Sequence, residues 1–294
     1  MPIGQIWFAA GLVAGGCVCV FLYVSLQILK ARVRAQTKRL DAALRAHDRL
    51  RGALAQQHAL AGLTRAGLTP RLEFALHSQH GEDAFLLALF PDQHDGFFIE
   101  AGAYDGHTLS VSWVFEAMGW TGLLVEPLPE RARACVAHRP HSRVEHCALM
   151  RDNSRTTVEL TVPVDAQGAG MLSSIAPGRA QRRRLRRASS TVSRITVPAN
   201  SLTHLLEIQS PPKAIDFLVL DVEGHELEAL AGLDFLRFRP AVMLIEVNSA
   251  RSDAELLPIL ARLNYRTPGL LAVNRIAIAA ERTDLWDRAV RYLA

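Results

Sequence analysis

Three short apolar runs in this chain each end in a carboxylate: Phe97 to Glu100, Gly122 to Glu126, and Ile215 to Asp221. Runs of this length suit strands buried on both faces. An acid just past such a strand stands where open α/β sheets gather their ligands, at the carboxyl ends of the strands. Glu100 leads into Ala101-Gly102-Ala103-Tyr104-Asp105-Gly106, whose glycines allow a sharp turn or a close approach of backbone to ligand. Asp105 is a further acid there, of a type that also builds turns. Glu126 suits a ribose, because two hydroxyls can donate to one carboxylate. Asp221-Val222-Glu223-Gly224-His225-Glu226 gathers groups that can take a proton, so Asp221, Glu223 and His225 are the candidate catalytic residues.

The elements that would carry these residues alternate in type. A helix is expected over 109–118, closed by Gly119, then a strand over 122–126, a helix over 130–137 and a strand over 144–149. Segments 156–162 and 192–197 alternate apolar and β-branched with polar residues, as in a hairpin or edge addition. A strand over 215–220, a helix over 222–231, a strand over 241–247 and a helix over 254–263 containing Pro258 follow. The chain then offers a strand or hairpin over 270–280 and a helix over 286–293. Upstream, 78–89 is amphipathic and stops at Pro91. Alternation without repeats predicts an α/β fold with a Rossmann-like, doubly wound, mostly parallel sheet. No Gly-x-Gly-x-x-Gly is present, which counts against a nicotinamide dinucleotide site.

The 294 residues are 49% hydrophobic, enough for one sizeable α/β domain with appendages. Four cysteines, at 17, 19, 135 and 147, form no Cys-x-x-Cys or disulfide framework, which fits a reducing compartment. The formal charge of +4 is unevenly spread: residues 1–62 carry +6, seven arginines in 179–194 carry +7, and the remainder is −9. An acidic body with basic appendages points to an anionic surface and away from nucleic acid. Residues 6–29 hold no charged side chain. As a helix they would reach about 36 Å, enough to cross a bilayer core of about 30 Å. Basic residues from Lys30 to Arg39 follow, so an uncleaved anchor with a cytoplasmic body is expected rather than a signal peptide. Gly11-x-x-x-Gly15 would let two anchors pair as a weak homodimer. The expected organisation is an anchor over 1–29, a helical stalk and linker over 30–70, and a catalytic domain over 71–294. His138, His141 and His146 cluster in sequence with no acidic companion, so no metal site is expected.

Four motifs in order make the reading specific. They are Ser78-Gln79-x-x-Glu82-Asp83, Phe98-Ile99-Glu100-Ala101-Gly102-Ala103-Tyr104-Asp105-Gly106, Gly119 to Pro127, and Ile215 to Glu226. Together they resemble the FkbM family of S-adenosylmethionine-dependent methyltransferases, over about two thirds of the chain. The family usually has Ser-Asn-Thr where this chain has Ser110-Val111-Ser112. The resemblance implies a class I methyltransferase sheet with S-adenosylmethionine as cofactor. Glu100, Gly102 and Gly106, with Asp105, would shape the methionine end of the pocket and Glu126 the ribose. By the same resemblance Ala148 would stand beside the adenine, and Gln79 and Asp83 on the cofactor side, although Ser78, Gln79 and Asp83 also read as helix-capping residues.

The expected function is therefore a membrane-anchored O-methyltransferase acting on a hydroxyl of a sugar or lipid-linked glycan, with the lipid bilayer as a partner. Two other readings compete. One is a membrane scaffold built on an inactive methyltransferase fold, against which the acids Glu100, Glu126 and Asp221 stand. The other is a nicotinamide-dependent oxidoreductase, against which the missing glycine fingerprint stands.

Overall fold

The computed structural model describes residues 61–64, 76–91, 93–164, 173–175, 191–208 and 214–294, with isolated helical residues at 27, 30, 33, 36 and 57. The chain forms two units, residues 1–54 and 55–294. In the first, the described residues Gln27, Lys30, Val33 and Gln36 are helical and exposed. Among the described residues no helix is long and apolar enough to cross a membrane. The span expected over 6–29 lies outside them apart from Gln27, as does most of the arginine run.

The second unit is built on an eight-stranded sheet. Its strands include β1 (Phe97–Ala101), β2 (Thr121–Val125) and β3 (Arg143–Glu145) on one side. On the other are β8 (Ile215–Leu220), β9 (Pro240–Glu246), β10 (Tyr265–Arg266), β11 (Leu270–Leu271) and β12 (Asn274–Ala279). The order is β10-β12-β9-β8-β1-β2-β3, with β11 beside β12. Pairings among β3, β2, β1, β8 and β9 are parallel; β12 runs antiparallel to β9. The sheet is thus mostly parallel, as the continuous apolar runs require. Strand order reverses beside β1, whose partners are β2 and β8, so the crevice for a ligand opens at the carboxyl ends of β1 and β8.

Successive side chains on each strand enter opposite faces, and both faces are covered. Phe98, Leu124, Phe217 and Val242 pack under helices α1 (Glu82–Leu89), α2 (Trp113–Ala117) and α7 (Thr283–Leu293). Phe217 stacks on Phe98 at 5.6 Å between centroids and meets Phe115 edge-on at 4.8 Å. Ile99, Leu123, Leu218 and Met243 pack under α4 (Leu202–Glu207), α5 (Glu226–Ala231) and α6 (Ala250–Arg262). One more helix, α3 (Pro129–His138), follows β2.

Several expectations change, among them the helices expected over 254–263 and 286–293, which begin earlier, at Ala250 and Thr283. The strand expected over 144–149 divides into β3 and β4 (Ala148–Leu149), and β4 joins a second sheet. With β5 (Thr157–Pro163), β6 (Ser174–Ile175) and β7 (Val192–Asn200), that sheet runs β4-β7-β5-β6, and its hairpin of β5 and β7 matches the alternating segments. Its own core is Leu128, Ala148, Val158, Leu160, Val197 and Ala199. Helix α2 begins four residues later than expected, because Ser110 and Ser112 are spent on Glu100 and Leu109 is left-handed at φ 60°. Helix α5 begins at Glu226 rather than 222, because Glu223 (φ 53°) and Gly224 (φ 93°) turn the chain before it.

Candidate active site

Gly102 sets the floor of the crevice. Its φ is +86°, and a Cβ there would lie 1.8 Å from the carbonyl oxygen of Asp221. Only glycine permits both the angle and the contact. Two backbone bonds fix the same corner: Gly102 N–H donates to Val125 O at 2.9 Å, and Asp221 N–H donates to Ala101 O at 3.0 Å. The loop after β1 therefore lies directly on the chain leaving β8. Gly106 (φ +75°) makes the second turn, where a Cβ would press on Arg139 Cγ at 2.9 Å. Asp105 caps that turn: its Oδ1 accepts from His107 N and Thr108 N, and its Oδ2 from Thr108 Oγ1. Burial alone would raise its pKa, but these hydrogen bonds outweigh it and hold the carboxyl below the usual range.

Glu100 is buried and committed to the same loop. It accepts from Ser110 Oγ and Val111 N at 2.8 Å each and from Ser112 Oγ, and Arg139 Nη1 lies 3.6 Å away. Arg139 is itself fully buried. Its guanidinium donates to Glu116, to the carbonyls of Gly106 and Ser112, and to the hydroxyls of Ser110 and Ser112. Each serine hydroxyl accepts from Arg139 and donates to Glu100. Ser110 and Ser112, on either side of Val111, thus relay one buried cation to one buried carboxylate.

Glu126 holds the next strand tip. Its Oε2 accepts from Tyr104 N and its Oε1 from Leu128 N, each at 2.9 Å, which ties the β1 loop to the start of α3. Burial pushes its pKa up to about 7, against the pull of those two N–H groups. A carboxylate has about four acceptor positions, so two remain for a ligand. Ala148 lies in β4 with its side chain in the second sheet's core, next to Leu128 in that cluster.

Asp221 keeps contact with solvent, yet protein surrounds its carboxyl on most sides. Burial, with the repulsion of Glu246 and Glu223 and the hydrogen bond that protonated Asp221 donates to Glu246, holds its pKa well above the ordinary carboxylate value. Oxygens of Asp221, Glu226 and Glu246 lie within 4.8 Å of one another, a spacing one divalent cation could bridge. Glu226 closes the loop by accepting from Gly224 N at 2.9 Å, and Asn248 Nδ2 donates to Glu246 at 2.6 Å. Glu223 is half-buried, and its carbonyl accepts from Ser174 Oγ at 3.0 Å. His225 precedes α5, and its Nε2 is buried without a hydrogen-bond partner. Burial lowers its pKa, partly offset by Glu228, so the imidazole is neutral at physiological pH.

The fold therefore brings Gly102, Gly106, Asp105, Glu100 and Glu126 to one corner, and sets Asp221 and Glu223 beside it. Gln79 is exposed. Asp83 accepts from His77 N, Ser78 N, Ser78 Oγ and Ala84 N, so its oxygens fix the approach to α1. Sequence reasoning missed Arg139 and the closeness of Glu246 and Glu226 to Asp221. Glu246 stood at a strand end, which was a signal; nothing local marked Arg139.

The charge at Arg139 gives a prediction. Arg139→Met leaves Glu100 and Glu116 buried without their cation, and should cost about 3–5 kcal/mol. Adding Glu100→Gln and Glu116→Gln should return part of that loss, because the uncompensated charges go with the cation. Chemical denaturation of the full chain measures both; a single variant within about 1 kcal/mol of wild type would show that the buried cation does not hold the loop.

Among solved structures the chain is similar to a TehB-like SAM-dependent methyltransferase from Corynebacterium glutamicum, at 12% identity and a TM-score of 0.36, covering 77% of this chain and 98% of that one. It is also similar to the C-terminal domain of precorrin-6Y C5,15-methyltransferase from Rhodobacter capsulatus, at 12% identity and a TM-score of 0.33, covering 71% and 94%. No curated protein matches it. The model of the methyltransferase FkbM domain matches residues 100–267, more than half of the chain and the whole stretch from Glu100 through Asp221 and Glu246. The chain belongs to the FkbM methyltransferase family, and its cofactor is S-adenosylmethionine.

Proposed function

We propose that this methyltransferase is anchored in a membrane and methylates a hydroxyl of a sugar or a lipid-linked glycan. The observation that carries the acceptor reading is Asp221: a residue in contact with solvent whose carboxyl sits among other acids, packed by its own backbone against Gly102 of the loop after β1. Carboxyl groups accept hydrogen bonds from the vicinal hydroxyls of a sugar and repel phosphates and carboxylates. The anchor reading rests on the uncharged residues 6–29 and the basic flank after them.

The residues fit the cofactor. Glu126 has two acceptor positions left at a strand tip, as a ribose diol requires, and the turns at Gly102 and Gly106 keep Cβ atoms out of the crevice. Glu100 shapes that corner through Ser110, Val111 and Ser112. Gln79, Asp83 and Ala148 are assigned to the cofactor side by family resemblance. When bound, S-adenosylmethionine supplies a methyl group on a good leaving group, so the chain's task is alignment and removal of one proton. Asp221 or Glu223 orients the acceptor hydroxyl, and neutral His225 can take its proton at Nε2.

Glu126 makes cofactor affinity depend on pH. Its pKa of about 7 means that below neutrality the carboxyl must lose a proton before it can accept from both hydroxyls. Affinity for S-adenosylhomocysteine should therefore climb from about pH 5.5 to about pH 7.5 and then level off, by at most tenfold per unit. Glu126→Gln should bind about 1.5–3 kcal/mol more weakly and flatten the profile. Calorimetry of the full chain checks this; a flat wild-type curve removes Glu126 from the site.

The acceptor and the anchor are tested together in native membranes. Methyl-labelled S-adenosylmethionine should place label in the lipid extract, in a form stable to mild alkali, since an ether survives where a methyl ester is hydrolysed. Label confined to protein or to alkali-labile material would overturn the acceptor reading. A reporter fused after Ala294 should face the cytoplasm; one facing outward would overturn the orientation.

A further inference from the structure

Among the described residues, two buried side-chain polar atoms have no hydrogen-bond partner: Ser173 Oγ and His225 Nε2. Buried polar groups are nearly always bonded, and an orphan is destabilising. These two lie on segments that touch. Ser174, the first residue of β6 (Ser174–Ile175), donates its Oγ to the carbonyl of Glu223 at 3.0 Å. Ser173 precedes it, only 9% exposed, and His225 follows Glu223 by two residues. β6 is held there by antiparallel pairing with β5, Thr161 opposite Ser174.

We propose that the junction of Ser173–Ile175 with the loop 222–225 is the acceptor subsite, and that Ser173 Oγ and His225 Nε2 bind hydroxyl groups of the acceptor. This rests on the hydroxyl-acceptor reading above and adds its specificity residue, Ser173. The chemistry of the junction selects a neutral polyol. A serine hydroxyl both donates and accepts, and a neutral imidazole nitrogen needs one partner only. The neighbouring carboxyls of Asp221, Glu223 and Glu226 disfavour an anionic group at the same place. The two orphans then have a partner in the ternary complex, and their cost in the free protein is a sacrifice of stability for binding.

The full chain in detergent micelles provides the test. Ser173→Ala removes an orphan and should leave Tm unchanged or raise it. A Tm lower by more than about 3 °C, the shift of one lost hydrogen bond, overturns the proposal, because the hydroxyl would then have an internal partner. Two probes read the acceptor side: methyl α-D-mannopyranoside and its 6-amino-6-deoxy counterpart. With the glycoside, Ser173→Ala should raise KM about tenfold while kcat and S-adenosylhomocysteine affinity stay near wild type. His225→Leu should raise KM and lower kcat. If wild type methylates the glycoside and both variants keep its KM, the subsite is wrong and the hydroxyl reading stands. If wild type methylates only the amine, the hydroxyl reading falls, and the subsite with it. If neither probe is methylated, the Tm of Ser173→Ala alone decides.

Discussion

A Cβ at position 102 would lie 1.8 Å from the carbonyl oxygen of Asp221, and the rest of the site depends on that contact. It brings the loop after β1 onto the chain leaving β8 with no side chain between them. The loop after β1 and the acid-rich turn after β8 thus share one piece of backbone. Parallel pairing of Ala101 with Leu220 aims both strands at the same end, and the bond from Asp221 N–H to Ala101 O closes the gap. Any residue larger than glycine would separate the two halves or force the left-handed turn out of shape.

Charge is arranged differently on the two sides of that contact. On the β1 side, buried Glu100 and Glu116 are matched by buried Arg139, with serine hydroxyls filling the remaining donor and acceptor positions. That side is a finished polar core, and it gives the loop one shape. On the β8 side, oxygens of Asp221, Glu226 and Glu246 approach within 4.8 Å of one another, and burial with mutual repulsion raises the pKa of Asp221. Finished networks rigidify; unfinished ones store the cost that a ligand can relieve. The contrast matches a division of labour in which one side holds a cofactor in fixed geometry and the other meets an acceptor and a moving proton.

The sheet was legible because its strands are continuous apolar runs. Ile215–Leu220 was placed residue for residue, and β2 and β9 within one residue. The hairpin of β5 and β7 followed from alternation and β-branched content. What failed depended on long-range pairing. Ser110 and Ser112 read as the first turn of a helix, and only the fold shows them turned back to Glu100. The strand over 144–149 broke because Ala148 found a partner in Ala199 on another sheet. Arg139 looked like any basic residue after a helix, since its partners all lie in the stretch Gly106–Glu116, 23 to 33 residues back along the chain. The acids at strand tips were visible as residues, but their crowding around Asp221 arises where two strand ends and a turn meet.

Hydrogen–deuterium exchange of the full chain, with and without saturating S-adenosylhomocysteine, tests the central claim that the crevice between β1 and β8 holds the cofactor. Bound ligand should slow exchange at the amides of 102–108 and 126–128, with a smaller effect at 221–225. Protection confined to the opposite ends of the strands, or to the second sheet, would contradict the account.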